Sequence, residues 1–190
     1  MKLLQKSSAN ELLKNVGMQL DEWNRIVDIK RPWNGGSSFS FQAPRDSLEM
    51  YCFAQLIADW LPIGSWQLFQ IDNSTEFAPD EEFMLARLLD LGSGVPSFKE
   101  SRSLLFEINS DGCSNTKTRL TISVLIFLFL LFELHGSMVS SNSFEGEILA
   151  IQDGFVYFLS RGAQLPSVSK IITEFQSNPL KTPQWVYEKT

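Results

Sequence analysis

His135 is the single histidine of the chain, and Cys52 and Cys113 are its only cysteines. Any serine–histidine or cysteine–histidine relay would have to run through that one imidazole. His135 lies two residues after Glu133, and side chains two apart on a helix do not face each other. Its place beyond an apolar run predicts a helix-end histidine interacting with the last carbonyls. A structural zinc site needs four ligands, and two cysteines and one histidine do not supply them without a carboxylate. Cys52 stands among apolar residues, which predicts a buried, inert thiol. Gly35-Gly36 and Gly92-Ser93-Gly94 have neither a Walker lysine nor dinucleotide-binding spacing. The expectation is a protein that is not an enzyme and uses no metal or cofactor.

The carboxylates carry more information. Asp80-Glu81-Glu82 is the densest acidic run. Grouped carboxylates can transfer protons or hold a metal, and an enzyme acting through these three is one reading. Their place after Pro79 gives a simpler one, the first turn of a helix, where negative charge complements the dipole. No Lys or Arg occurs between Arg45 and Arg87, whereas Asp46, Glu49, Asp59, Asp72, Glu76, Asp80, Glu81 and Glu82 do. A second basic-free stretch, Leu120 to Ser160, carries Glu133, Glu145, Glu147 and Asp153. With 16 basic and 22 acidic residues the net charge is -6. Such a surface repels nucleic acid and suits a basic protein. The expected partner-binding residues form an acidic ridge of Asp72, Glu76, Asp80, Glu81 and Glu82.

Elements must position these groups. Residues 9–27 read as a helix, broken near Gly17. Ser38 to Phe41 alternates with period two, like a strand. Asp46 can cap a helix running to Trp60, with Met50, Phe53, Ile57 and Trp60 on one face. Trp66 to Ile71 and Leu104 to Ile108 are strand candidates. A helix is expected from Pro79 to Gly92 and another from Pro166 to Phe175. Ile148–Ile151 and Phe155–Leu159 flank Gln152-Asp153-Gly154, the pattern of a hairpin. This alternation predicts a mixed α+β (α/β) fold in a single globular domain, residues 1–190. A central mixed, partly parallel sheet would carry helices on its faces, with a C-terminal β-hairpin and one long buried apolar helix.

That apolar segment, Leu120 to Leu134, has three readings. A membrane span needs about 20 apolar residues, and Glu133 and His135 at its end disfavour one. A buried strand is the second reading. The expected one is a core helix, with Asn115, Thr116 or Thr118 as cap and Gly136 as stop. The amino terminus lacks the long apolar stretch of a secretory signal. Two scattered cysteines fit a reducing compartment, so a cytoplasmic protein without membrane or nucleic-acid partners is expected.

Pro44-Arg45-Asp46-Ser47-Leu48-Glu49, through Trp60-Leu61-Pro62-Ile63-Gly64-Ser65-Trp66, to Gln70-Ile71-Asp72-Asn73-Ser74-Thr75 resembles immunity proteins of bacterial contact-dependent growth inhibition and related polymorphic toxin systems. The resemblance implies a non-catalytic cytoplasmic protein that binds a cognate toxin domain and blocks its active site. Many such toxins are basic nucleases, which an acidic ridge would suit. The alternative is another acidic binding module, chaperone-like in secretion or an adaptor. A chaperone calls for an exposed apolar groove and commonly a dimer; an immunity protein calls for one rigid acidic face.

Overall fold

Alternation along one central strand divides the molecule into two cores. A computed structural model of the chain describes residues 2–22, 24–29, 37–72, 87, 103–110, 114–143 and 146–160. In chain order the described elements are β1 (Lys2–Leu3), α1 (Lys6–Asn15), β2 (Met18–Leu20), β3 (Ile26–Asp28), β4 (Ser37–Gln42), α2 (Ser47–Trp60), β5 (Trp66–Asp72), β6 (Ser103–Asn109), α3 (Asn115–Leu131), β7 (Gly136–Ser140), β8 (Ile148–Gln152) and β9 (Phe155–Ser160). Seven strands form one sheet in the order β1-β6-β5-β7-β8-β9-β4, and β2 and β3 form a separate ribbon. On β5, Phe69 and Ile71 enter one core, with α2 and α3. Trp66 and Leu68 point the other way, into a core shared with α1 and the ribbon.

The fold is mixed α+β, but the expected parallel pairing is absent among the described strands. Every neighbouring pair in the sheet is antiparallel. The reason lies in the β6–α3–β7 connection. β6 and β7 run in the same direction, because each is antiparallel to β5 between them. The helix is therefore a crossover of the kind that alternating elements suggest. It passes over an intervening strand, which a linear reading does not reveal.

α2 begins as expected, with the Asp46 carboxylate accepting from the amides of Leu48 and Glu49, both at 3.0 Å. Met50, Phe53, Ala54, Ile57 and Ala58 make its buried face. Cys52 falls outside that set and is exposed, not buried. Apolar neighbours in sequence misled there; helical phase decides.

The apolar run is a helix, α3, which packs antiparallel to α2. The Arg119 guanidinium donates to the Ala58 carbonyl near one end (2.8 Å), and Tyr51 meets Phe127 edge-on near the other. Its cap is Ser114, whose Oγ accepts from Lys117 N at 3.3 Å, rather than Asn115, Thr116 or Thr118. Gly136 is not its stop but the first residue of β7. The helix ends instead in a Schellman turn. Leu134 N donates to Phe129 O (2.8 Å) and Glu133 N to Leu130 O (3.3 Å), with Glu133 in the left-handed region at φ 51°. Ile122, Ile126 and Phe129 are buried. Leu120 and Leu131 remain 52% and 42% exposed, so the core takes only part of this helix.

The predicted helix over 9–27 ends at Asn15. Gly17 turns the chain at φ 75°, and the rest forms the β2–β3 ribbon, tied to α1 by Leu20 N donating to Asn10 Oδ1 (2.8 Å). The helices expected at 79–92 and 166–175 lie outside the described residues, Arg87 apart.

Candidate functional site

β5 ends at Asp72, β7 begins at Gly136, and β8 turns into β9 at Asp153-Gly154. All three points lie at the same end of the sheet, because β7 is antiparallel to both β5 and β8. Main-chain bonds fasten them. Asp72 N donates to the His135 carbonyl at 2.8 Å, and Ala43 N donates to the Gly154 carbonyl at 2.7 Å. His135 Nε2 lies 3.0 Å from Asp153 Oδ1. The two basic-free stretches of the sequence therefore meet here in space.

The local conformations follow from the residues. Asp153 (φ 52°) and Gly154 (φ 74°) form a two-residue hairpin turn with both φ angles positive, the form that matches strand twist and favours Asp-Gly. It lifts the Asp153 carboxylate into solvent, 63% exposed. Glu133 is also exposed, on the Schellman turn that precedes His135. Arg45, Asp46 and Glu49, at the amino end of α2, follow directly from the Ala43 contact. This end thus holds Asp72, His135 and Asp153 together, with Glu133 two residues before His135 and Arg45, Asp46 and Glu49 following the Ala43 contact.

Of the five residues predicted as a ridge, Asp72 stands at this end. Glu76, Asp80, Glu81 and Glu82 lie outside the described residues. The second acidic stretch is not one patch. Glu147 precedes β8 and Asp153 follows it, roughly 20 Å apart at about 3.3 Å per strand residue; Glu145 lies outside the described residues. His135 does not turn back to the carbonyls of α3 as expected, because the Schellman turn already engages them; its side chain pairs with Asp153 instead. Glu133 is the residue that sequence reasoning undervalued. Its left-handed backbone has no local signature, whereas the exposed hairpin tip at Asp153 was signalled by the glycine after it.

The arrangement groups exposed carboxylates with one imidazole. Among the described residues, no hydroxyl or thiol bonds to His135, and no group of three or more His, Cys, Asp or Glu is placed to hold a metal. In the His135–Asp153 pair the imidazole is half-buried and the carboxylate exposed. On β9, burial raises the Tyr157 phenol above its usual value, and the Asp153 charge raises it further. Tyr157 therefore stays neutral beneath the acidic end.

The chain matches no known family model, no curated protein and no solved structure. None of the described helices is long and apolar enough to cross a membrane.

Proposed function

We propose that this chain is a non-catalytic immunity protein, which binds a cognate basic toxin domain, of the nuclease type, through the acidic end of its sheet. Complementary charge there speeds encounter and selects the partner. Such a protein acts in the cytoplasm, where the toxin arrives, and needs no metal or cofactor. The observation that carries this reading is the convergence of Asp72, Glu133 and Asp153 at one fixed end of a seven-stranded sheet. Glu133 adds weight. A non-glycine residue at φ 51° costs roughly 1 kcal/mol or more, and strained positions of this kind gather at functional sites. A ridge continuing through Glu76, Asp80, Glu81 and Glu82 belongs to the same proposal.

The secretion-chaperone or adaptor reading has one observation in its favour, the exposed leucines on α3. A test separates the two. The polypeptide encoded immediately upstream of this gene is expressed with and without the chain. Growth arrest relieved by the chain supports immunity. An upstream product that arrests nothing, or arrest that the chain does not relieve, overturns it. Reversing Asp72 and Asp153 to Lys is then expected to slow association most at low ionic strength, where charge is least screened.

A further inference from the structure

An α-helix that is apolar all round has more than one face to bury. α3 satisfies one in the core, through Ile122, Ile126 and Phe129. Its outward face carries Leu120, Val124, Phe127 and Leu131 in a narrow stripe. Leu120 and Leu131 are exposed and Val124 half-buried, while Phe127 keeps one side packed against the α2–α3 core. The spacing of four, three and four residues is that of a coiled-coil seam. Leu48, 71% exposed on α2, extends the patch beyond the Tyr51–Phe127 contact.

We infer that this stripe is the seam of a homodimer, in which two copies of α3 pack antiparallel about a two-fold axis. Two features point to a second copy as the occupant. The stripe is palindromic about its midpoint. Reversed, Leu120 of one copy meets the partner's Leu131, and Val124 meets the partner's Phe127, as an isologous interface requires. The charges at its ends are also complementary. Lys117 is exposed one turn before Leu120, and Glu133 is exposed just after Leu131. Antiparallel pairing sets Lys117 of each copy beside the partner's Glu133. Arg119 at the same end is already engaged by the Ala58 carbonyl and Asp59, which leaves Lys117 for the partner. The inference does not rest on the immunity reading.

Sedimentation equilibrium of the full chain at about 0.15 M salt, where charges beyond about 8 Å are screened, tests it. A dimer is expected in the micromolar range. Leu120→Glu and Leu131→Glu should each weaken it about 30-fold or more, as loss of a hot-spot contact does. Both positions are exposed, so circular dichroism and melting temperature should stay near wild type. Lys117→Glu and Glu133→Lys should each weaken the dimer, and the double swap should restore it. A wild-type monomer throughout the range overturns the inference. So does a dimer indifferent to both leucine variants, or a double swap that restores nothing. Binding of the monomer to phosphatidylcholine vesicles, abolished by Leu120→Glu, would assign the stripe to a membrane surface instead. Leu120 is about 20 Å along α3 from Glu133, at 1.5 Å per residue. Its variant therefore separates the seam from the acidic end.

Discussion

Glu133→Gly is expected to stabilise the protein and weaken its acidic surface at the same time. Glu133 is the C′ residue of α3, with φ 51°, and its turn is closed by amide bonds of 2.8 and 3.3 Å that glycine keeps. Relief of the left-handed strain is worth roughly 1–2 kcal/mol. Against this, glycine adds about 0.4–1 kcal/mol of unfolded-state freedom. The Glu133 carboxylate is exposed, so its removal adds little to the cost. The difference runs from about 0 to 1.6 kcal/mol, with a central gain of about 0.8 kcal/mol, or a rise of roughly 2–3 °C in melting temperature for a chain of this size. Glu133→Gln is the control: it removes the charge, keeps the backbone strain, and should melt near wild type. Thermal melts followed by circular dichroism read both. A Glu133→Gly protein that melts at or below wild type would refute the argument that this helix end bears strain.

Gly136→Ala should cost at least 1–3 kcal/mol, as overpacking does, and lower the melting temperature accordingly. Its Cβ would overlap the Gln70 carbonyl, which is backbone and cannot yield without parting β5 from β7. Asp46→Ala should cost about 1 kcal/mol in a denaturant titration, by losing both cap bonds of α2. Tyr157 holds its proton more tightly when folded than the usual value of about 10. The stability this contributes is complete below pH 10 and is lost as the pH rises through the folded-state value. Tyr157→Phe should therefore flatten the alkaline limb of a stability–pH profile.

The parts of this fold that could be read from sequence are those with local causes. Period-two alternation marked Ser38–Phe41, apolar runs marked Trp66–Ile71 and Leu104–Ile108, the Asp153-Gly154 turn between apolar runs marked the β8–β9 hairpin, and Asp46 announced α2. β7 was not legible, because Gly136-Ser137-Met138-Val139-Ser140 has little strand character of its own. It becomes a strand by lying between β5 and β8, where Ser137 Oγ donates to Gln70 Oε1 at 2.8 Å. The β2–β3 ribbon was hidden for a similar reason: Met18, Leu20 and Ile26 take their place by packing in a core with Leu68 of β5, a contact distant in sequence. The acidic end joins residues 72, 135 and 153, whose proximity depends on sheet order, which no local pattern encodes. The acids themselves were visible; their meeting point was not.

α3 ties the two surfaces together, and this yields a final expectation. The same helix crosses β5, turns Leu120 and Leu131 outward, and ends in the turn that sets Glu133 and His135 beside Asp72 and Asp153. In the antiparallel seam Glu133 faces the partner's Lys117, while Asp153, on the hairpin, lies on the strand side of that end. Glu133 thus serves both surfaces and Asp153 only one. Glu133→Lys should lower self-association and, on the proposed function, the rate of association with a basic toxin. Asp153→Lys should lower the rate alone and leave the dimer intact. Lys117→Glu should weaken the dimer and spare the rate. Association rates across ionic strength, measured beside sedimentation for the three variants, resolve the division. If Asp153→Lys disrupts the dimer as strongly as Glu133→Lys, the seam does not run along α3, because the hairpin tip would then belong to it.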